Sequence, residues 1–269
     1  MSYKKNNVVI VIMVSLLFII SSAIVYFLYF FDEPIKDDTK DSIYVRVSDP
    51  EIIKKLKDTI ENNNLIELAK NEKTLDNINT ASNELKLNMS LNKIIKDYKF
   101  LDTIDATLLN NYFNDSFKDT IYYNKEDILC SCKEKLYIYD KETNSYIYNE
   151  KHEKHEIYET YPYYTKVLSV DKKNNIYVIK VAYVWNTYKT NEYTNTGYSS
   201  YNDSIDKQNP LFEIKIEENA SFDASHKDYY AIKEIETNYE KYKNRLHKYI
   251  YTFEENNNTY KLISFKYEK

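Results

Sequence analysis

The stretch Val8 to Phe31 (VVIVIMVSLLFIISSAIVYFLYFF) constrains this chain more than any other, because it carries no charge and no proline. As a helix rising about 1.5 Å per residue it is roughly 36 Å long, against a hydrocarbon core of about 30 Å. A helix packed on a soluble core is apolar along one stripe, whereas this run is apolar all round. Ser15, Ser21 and Ser22 can bond back to carbonyls within the helix, and Tyr26, Phe27, Tyr29, Phe30 and Phe31 set aromatic rings at one interface. A cleaved signal peptide is the competing reading. It needs a shorter apolar centre and a small-residue exit. Ser21-Ser22-Ala23 offers an exit, but the apolar run continues beyond it to Phe31, and no cysteine lies nearby for lipoprotein processing. The run predicts an uncleaved transmembrane helix over 8–31.

Lys4 and Lys5 precede the span, while Lys36 and Lys40 follow it among Asp32, Glu33, Asp37 and Asp38. A short N-terminal tail is the easier side to retain, and long C-terminal domains translocate largely regardless of charge. The expected layout is a cytoplasmic tail over 1–7, the anchor, a charged stalk over 32–42 and an extracytoplasmic domain beyond. The expected location is therefore the cell membrane, single-pass, with the bilayer itself as the first partner.

Composition removes several function classes. A single glycine in 269 residues excludes glycine-dependent phosphate cradles such as P-loops and dinucleotide turns. A net charge of −5 argues against nucleic acid as a partner.

The exposed part divides by texture into a helical portion over 43–120 and an antiparallel, β-rich portion over 121–269, which together suit one α+β domain. Ile43 to Val47 suits a short strand. Asp49-Pro50 has the form of a helix cap followed by proline at the first helical position. Ile52, Ile53, Leu56 and Ile60 follow at helical spacing. A further helix is predicted from Ser90 as cap, with Ile104, Leu108, Leu109, Tyr112, Phe113 and Phe117 continuing the periodicity. Period two then takes over. Hairpins are predicted for Leu136–Tyr139 with Tyr146–Tyr148, for Tyr163–Val170 with Ile176–Trp185, and for Leu246–Phe253 with Tyr260–Tyr267. Residues 186–209, rich in Asn, Thr and Ser, predict a long loop, and 228–246 a helix.

A short tail, one span, helices and then a curved antiparallel sheet resemble anchored Gram-positive proteins with an NTF2-like or cystatin-like outer domain. The terminal YIYTFEENNNTYKLISFKYE and the central DILCSCKEKLYIYDKETNSYIYNE carry the resemblance. It implies architecture rather than activity, since that fold family holds enzymes, pocket binders and assembly modules such as VirB8-like conjugation components.

Chemistry-bearing residues are few. Cys130 and Cys132 form a C-x-C. On a strand, Cα atoms two residues apart lie about 6.5–7 Å from each other, so a local disulfide needs a turn. Two ordinary cysteines, or a disulfide, is one reading. Adding His152 and His155 gives two thiolates and two imidazoles, a tetrahedral zinc set by type, whose ends the intervening hairpin could bring together. His152-Glu-Lys-His155-Glu is not the HExxH of metalloproteases, and His226 and His247 stand alone. No catalytic, cofactor or metal role is assigned to any residue. Tyrosines on or beside predicted strands (Tyr44, Tyr137, Tyr139, Tyr146, Tyr148, Tyr158, Tyr161, Tyr163, Tyr164, Tyr177 and Tyr183) offer either a recognition surface or core filling. The N-x-S/T triplets at Asn88, Asn114, Asn202, Asn219 and Asn257 are what an Asn-rich chain gives by chance. The expectation is a non-enzymatic, membrane-anchored module that binds a protein partner or self-associates. A small-ligand binder or envelope enzyme with a cavity between sheet and helices is the alternative.

Overall fold

The computed structural model describes residues 44–118, 123–130, 133–152, 163–189, 194–216 and 227–269. The predicted tail, span and stalk lie outside them, as do Cys132, His155, His226, Asn219, Tyr158 and Tyr161. Among the described residues no helix is long and apolar enough to cross a membrane.

Strands organise the domain. The larger sheet has seven of them: β1 (Val45–Arg46), β6 (Tyr163–Lys173), β7 (Ile176–Lys189), β10 (Lys248–Asn256) and β11 (Thr259–Glu268) in that order, with β8 (Thr194–Tyr198) on β7 and β9 (Phe212–Lys215) on β8. A smaller sheet orders β2 (Thr103–Asp105), β5 (Ser145–Tyr148), β4 (Lys135–Asp140) and β3 (Ile128–Leu129). All strand pairs are antiparallel; an isolated Phe117–Leu262 bridge is parallel. Tyr44 to Lys269 form one compact unit, in which helices pack on a mostly antiparallel sheet, the α+β arrangement expected.

Turn chemistry explains how a chain with one glycine makes so many reversals. Ten described non-glycine residues have positive φ, and six are Asn: Asn64, Asn144, Asn174, Asn209, Asn257 and Asn258. Asparagine tolerates the left-handed region better than other side chains, so its abundance does glycine's work. Asn257 and Asn258, at φ 50° and 62°, have the sign pattern of a type I′ turn and close the β10–β11 hairpin.

Among the described residues three apolar clusters fill the layers. The first lies between the large sheet and two helices, α1 (Pro50–Asn62) and α2 (Ile66–Asn71), with Leu56, Ile60, Leu65 and Leu68 against Tyr183, Tyr251 and Phe265. Asp49 caps α1 as expected, its Oδ1 accepting from the Glu51 amide at 2.8 Å. The second cluster joins the small sheet to α3 (Asn83–Tyr98) and α4 (Ala106–Asn114). The third covers the opposite face of the large sheet with α6 (Lys227–Thr237) and α7 (Tyr239–Tyr242).

Four expectations need correction. The helix predicted from Ser90 begins at Asn83; the cap is Ser82, whose Oγ accepts from the Leu85 amide at 3.2 Å, and Ser90 is buried mid-helix. Ile104 sits in β2 rather than a helix, because it pairs with Tyr146 across the small sheet. Residues 186–209 are not one loop: they hold the end of β7, β8 and α5 (Tyr201–Asp206), and Thr194, Asn195 and Thr196 are buried. Backbone pairing of β8 to both β7 and β9 outweighs the polar side chains there. Asp171 to Lys173 belong to β6, so the β6–β7 reversal shrinks to Asn174-Asn175.

Candidate functional site

The cysteine turn joins β3 to β4. The Cys130 amide donates to Glu134 O at 2.9 Å, and the Lys133 amide returns to Cys130 O at 3.0 Å, with Lys133 at φ 69°. Cys130 is disulfide-bonded, and no described cysteine is free, so the Cys130 sulfur is not a thiolate ligand in this state. The β4–β5 hairpin does bring its two ends together. His152 follows β5 with its ring buried, and its Nε2 lies 4.0 Å from a carboxylate oxygen of Glu134. The cysteine turn and His152 are therefore neighbours, as the hairpin predicts. Among the described residues no group of three or more His, Cys, Asp and Glu is placed to hold a metal ion.

Most of the strand tyrosines with full burial are core. Tyr137, Tyr146, Tyr177 and Tyr183 are 0–1% exposed. Their hydroxyls mostly find acceptors inside: Tyr137 donates to Leu101 O at 2.7 Å and Tyr177 to Glu255 Oε2 at 3.1 Å, whereas the Tyr146 hydroxyl has no partner. The Tyr139, Tyr148, Tyr163 and Tyr164 rings are partly buried against the same cores.

What faces solvent is instead an isoleucine pair. Along β4 and β5, Tyr137 pairs with Tyr148 and Tyr139 with Tyr146 on the inner face, which puts Ile138 and Ile147 directly opposite each other on the outer face. They are 42% and 43% exposed. Thr103 of β2 lies across from Ile147 and extends the same face.

A convergence of titratable groups lies elsewhere and is not evident in the sequence. His247, just before β10, has its Nδ1 2.9 Å from the Tyr267 hydroxyl of β11. Burial pulls the His247 imidazole below its ordinary value, the carboxylates of Glu72 and Asp203 oppose this, and Lys269 adds to it. Burial, then the Glu72 carboxylate, pushes the Tyr267 phenol up to about 12. Plain register does not find the first pair: counting outward from Asn257-Asn258 sets Lys266 opposite Tyr249, and an irregularity between Thr252 and Phe253 shifts that partner to Tyr267, diagonal to position 247. Nothing local announces Glu72 or Asp203.

A shallow apolar pocket bounded by Leu68, Leu75, Ile78, Leu262 and Phe265 does not admit a water molecule. No protein-family model matches this chain, and neither does any curated protein or solved structure.

Proposed function

We propose that this is a single-pass membrane protein whose residues 8–31 anchor an extracytoplasmic α+β domain that engages a protein partner without catalysis. The anchor rests on the length and uniform apolarity of Val8–Phe31. The single observation that carries the partner reading is the outward pair Ile138–Ile147, at the centre of a small sheet whose other face is packed. A β-branched pair in mid-strand has no need to face water, and apolar groups gathered on an exposed sheet face favour protein contact. The likeness to anchored NTF2-like or cystatin-like domains is compatible with such an assembly role.

A photo-reactive amino acid at position 138 or 147, in intact cells, tests this. A discrete cross-linked product from both positions, absent when the probe is placed in the β4–β5 turn at Glu142, is expected. Equal labelling at all three positions would remove the interface.

The second reading, a small-ligand binder or envelope enzyme, is favoured by the gathering of His247, Tyr267, Glu72 and Asp203. Ligand-induced shifts of the His247 and Tyr267 ring resonances would support it.

A further inference from the structure

We infer that the His247–Tyr267 pair is an acid-sensitive latch, holding the open end of the terminal hairpin against the helical layer and releasing it when the imidazole takes a proton. The pair stands where three segments meet. Within the hairpin, the His247 and Tyr267 rings sit edge-on with centroids 5.5 Å apart, and Tyr267 also packs on Tyr249 at 5.5 Å. Toward the segment after α2, the Tyr267 amide donates to Thr74 Oγ1 at 3.1 Å. Toward the segment before α5, the Tyr249 hydroxyl donates to Ser199 O at 3.4 Å. His247 is only 8% exposed.

The charged groups facing the imidazole are Glu72 from the end of α2, Asp203 from α5 and Lys269 from the hairpin. Glu268 is engaged by Lys180 at 3.4 Å on the neighbouring strand. The phenols of Tyr267 and Tyr249 stay neutral, since burial raises both. A neutral imidazole suits this place, because an enclosed cation loses more hydration than the Glu72 and Asp203 carboxylates return. The Tyr267 phenol is also hydrogen-bonded to the Glu72 side chain, so a cation at His247 gives that carboxylate a competing partner.

The sign follows from linkage. The folded imidazole holds a proton less tightly than the unfolded one. Its contribution is therefore present above the unfolded pKa, about 6.5, and is lost as pH falls through the folded pKa. Across that window release becomes easier by about tenfold per pH unit.

Hydrogen exchange of the detergent-solubilised full chain tests this at about pH 7.5 and about pH 5.5, corrected for intrinsic exchange. The expected result is loss of protection at the Tyr267 amide on acidification, at about tenfold per unit across the window, and no such loss in His247→Gln. Should that variant fail to fold, the wild-type ring is titrated by NMR, assigned through its contacts with Tyr267. A midpoint below the ordinary imidazole value, coincident with loss of Tyr267 protection, supports the latch. Unchanged protection, an equal pH response in His247→Gln, or an ordinary ring midpoint would overturn it.

Discussion

The hydroxyls of Tyr183 and Tyr251 meet at 2.9 Å in the main core, and Tyr251 passes the chain on by donating to Leu65 O at 3.3 Å. With Tyr251 donating to the carbonyl, Tyr183 must donate to the Tyr251 oxygen. Both side chains are fully buried, and burial raises both phenols well above their ordinary range. The relay therefore ties β7 and β10 to the backbone between α1 and α2. Tyr251→Phe leaves the buried Tyr183 hydroxyl without its acceptor, while the Leu65 carbonyl keeps the Leu68 amide at 3.1 Å, and should cost about 1–3 kcal/mol in chemical denaturation. Adding Tyr183→Phe should cost less than the sum of the two singles, by about 0.5–3 kcal/mol. Strict additivity would show that the two hydroxyls do not act as one unit.

The chain's one glycine is required for space rather than for backbone freedom. Gly197 lies opposite Phe212 in the β8–β9 pair, and a Cβ there would meet the Phe212 ring at 2.2 Å. Its φ is not positive. Gly197→Ala should destabilise by about 1–3 kcal/mol through overpacking, and Phe212→Leu in the same chain should recover part of that loss. Thermal unfolding of the two single variants and the double variant measures it; no recovery would mean that the ring is not the obstacle.

Asparagine turns give a third expectation. Asn258 holds φ 62° at the tip of the terminal hairpin. Asn258→Val puts a β-branched side chain in the left-handed region and should cost about 1–2 kcal/mol, while Asn258→Gly should be neutral or stabilising. Equal midpoints for the Val and Gly variants would contradict the turn assignment.

Asp105 carries a pH dependence of known sign. Its Oδ1 accepts from the Leu108 amide at 3.1 Å and the Thr107 amide at 2.6 Å at the start of α4, and these bonds hold its carboxyl below the usual range. A depressed folded pKa gives stability that is present above the unfolded value, about 3.9, and lost as pH falls through the folded one. Asp105→Asn should therefore show a shallower loss of Tm on the acid side than the parent. A steeper loss would contradict the cap.

Much of the local structure was legible because it is written in short-range chemistry. Asp49-Pro50 announces α1, and alternating Tyr and Ile around Asp140–Asn144 announce the β4–β5 hairpin. The start of α3 was hidden because Leu85, Leu87 and Met89 alternate with polar residues instead of recurring at helical spacing, and because Lys86 is buried there with its ammonium donating to Asn79 O at 2.9 Å, a contact with no local signature. Polarity concealed β8 too, where Thr194 to Thr196 are buried through long-range pairing. The same distance problem hid the site. His247 and Tyr267 meet through a register shift between Thr252 and Phe253 that the hairpin sequence does not announce, and Glu72 and Asp203 reach them through the packing of helices on the sheet.

The proposed function stands on display of the domain outside the cell by an uncleaved anchor. The most direct measurement is protease treatment of intact cells, with mass spectrometry of the N-terminal region before and after. The untreated chain should retain residues 8–31 in the membrane fraction, and added protease should remove the domain beyond them. A chain that lacks those residues and is recovered from the medium, or a domain untouched by protease until the cells are lysed, would contradict it.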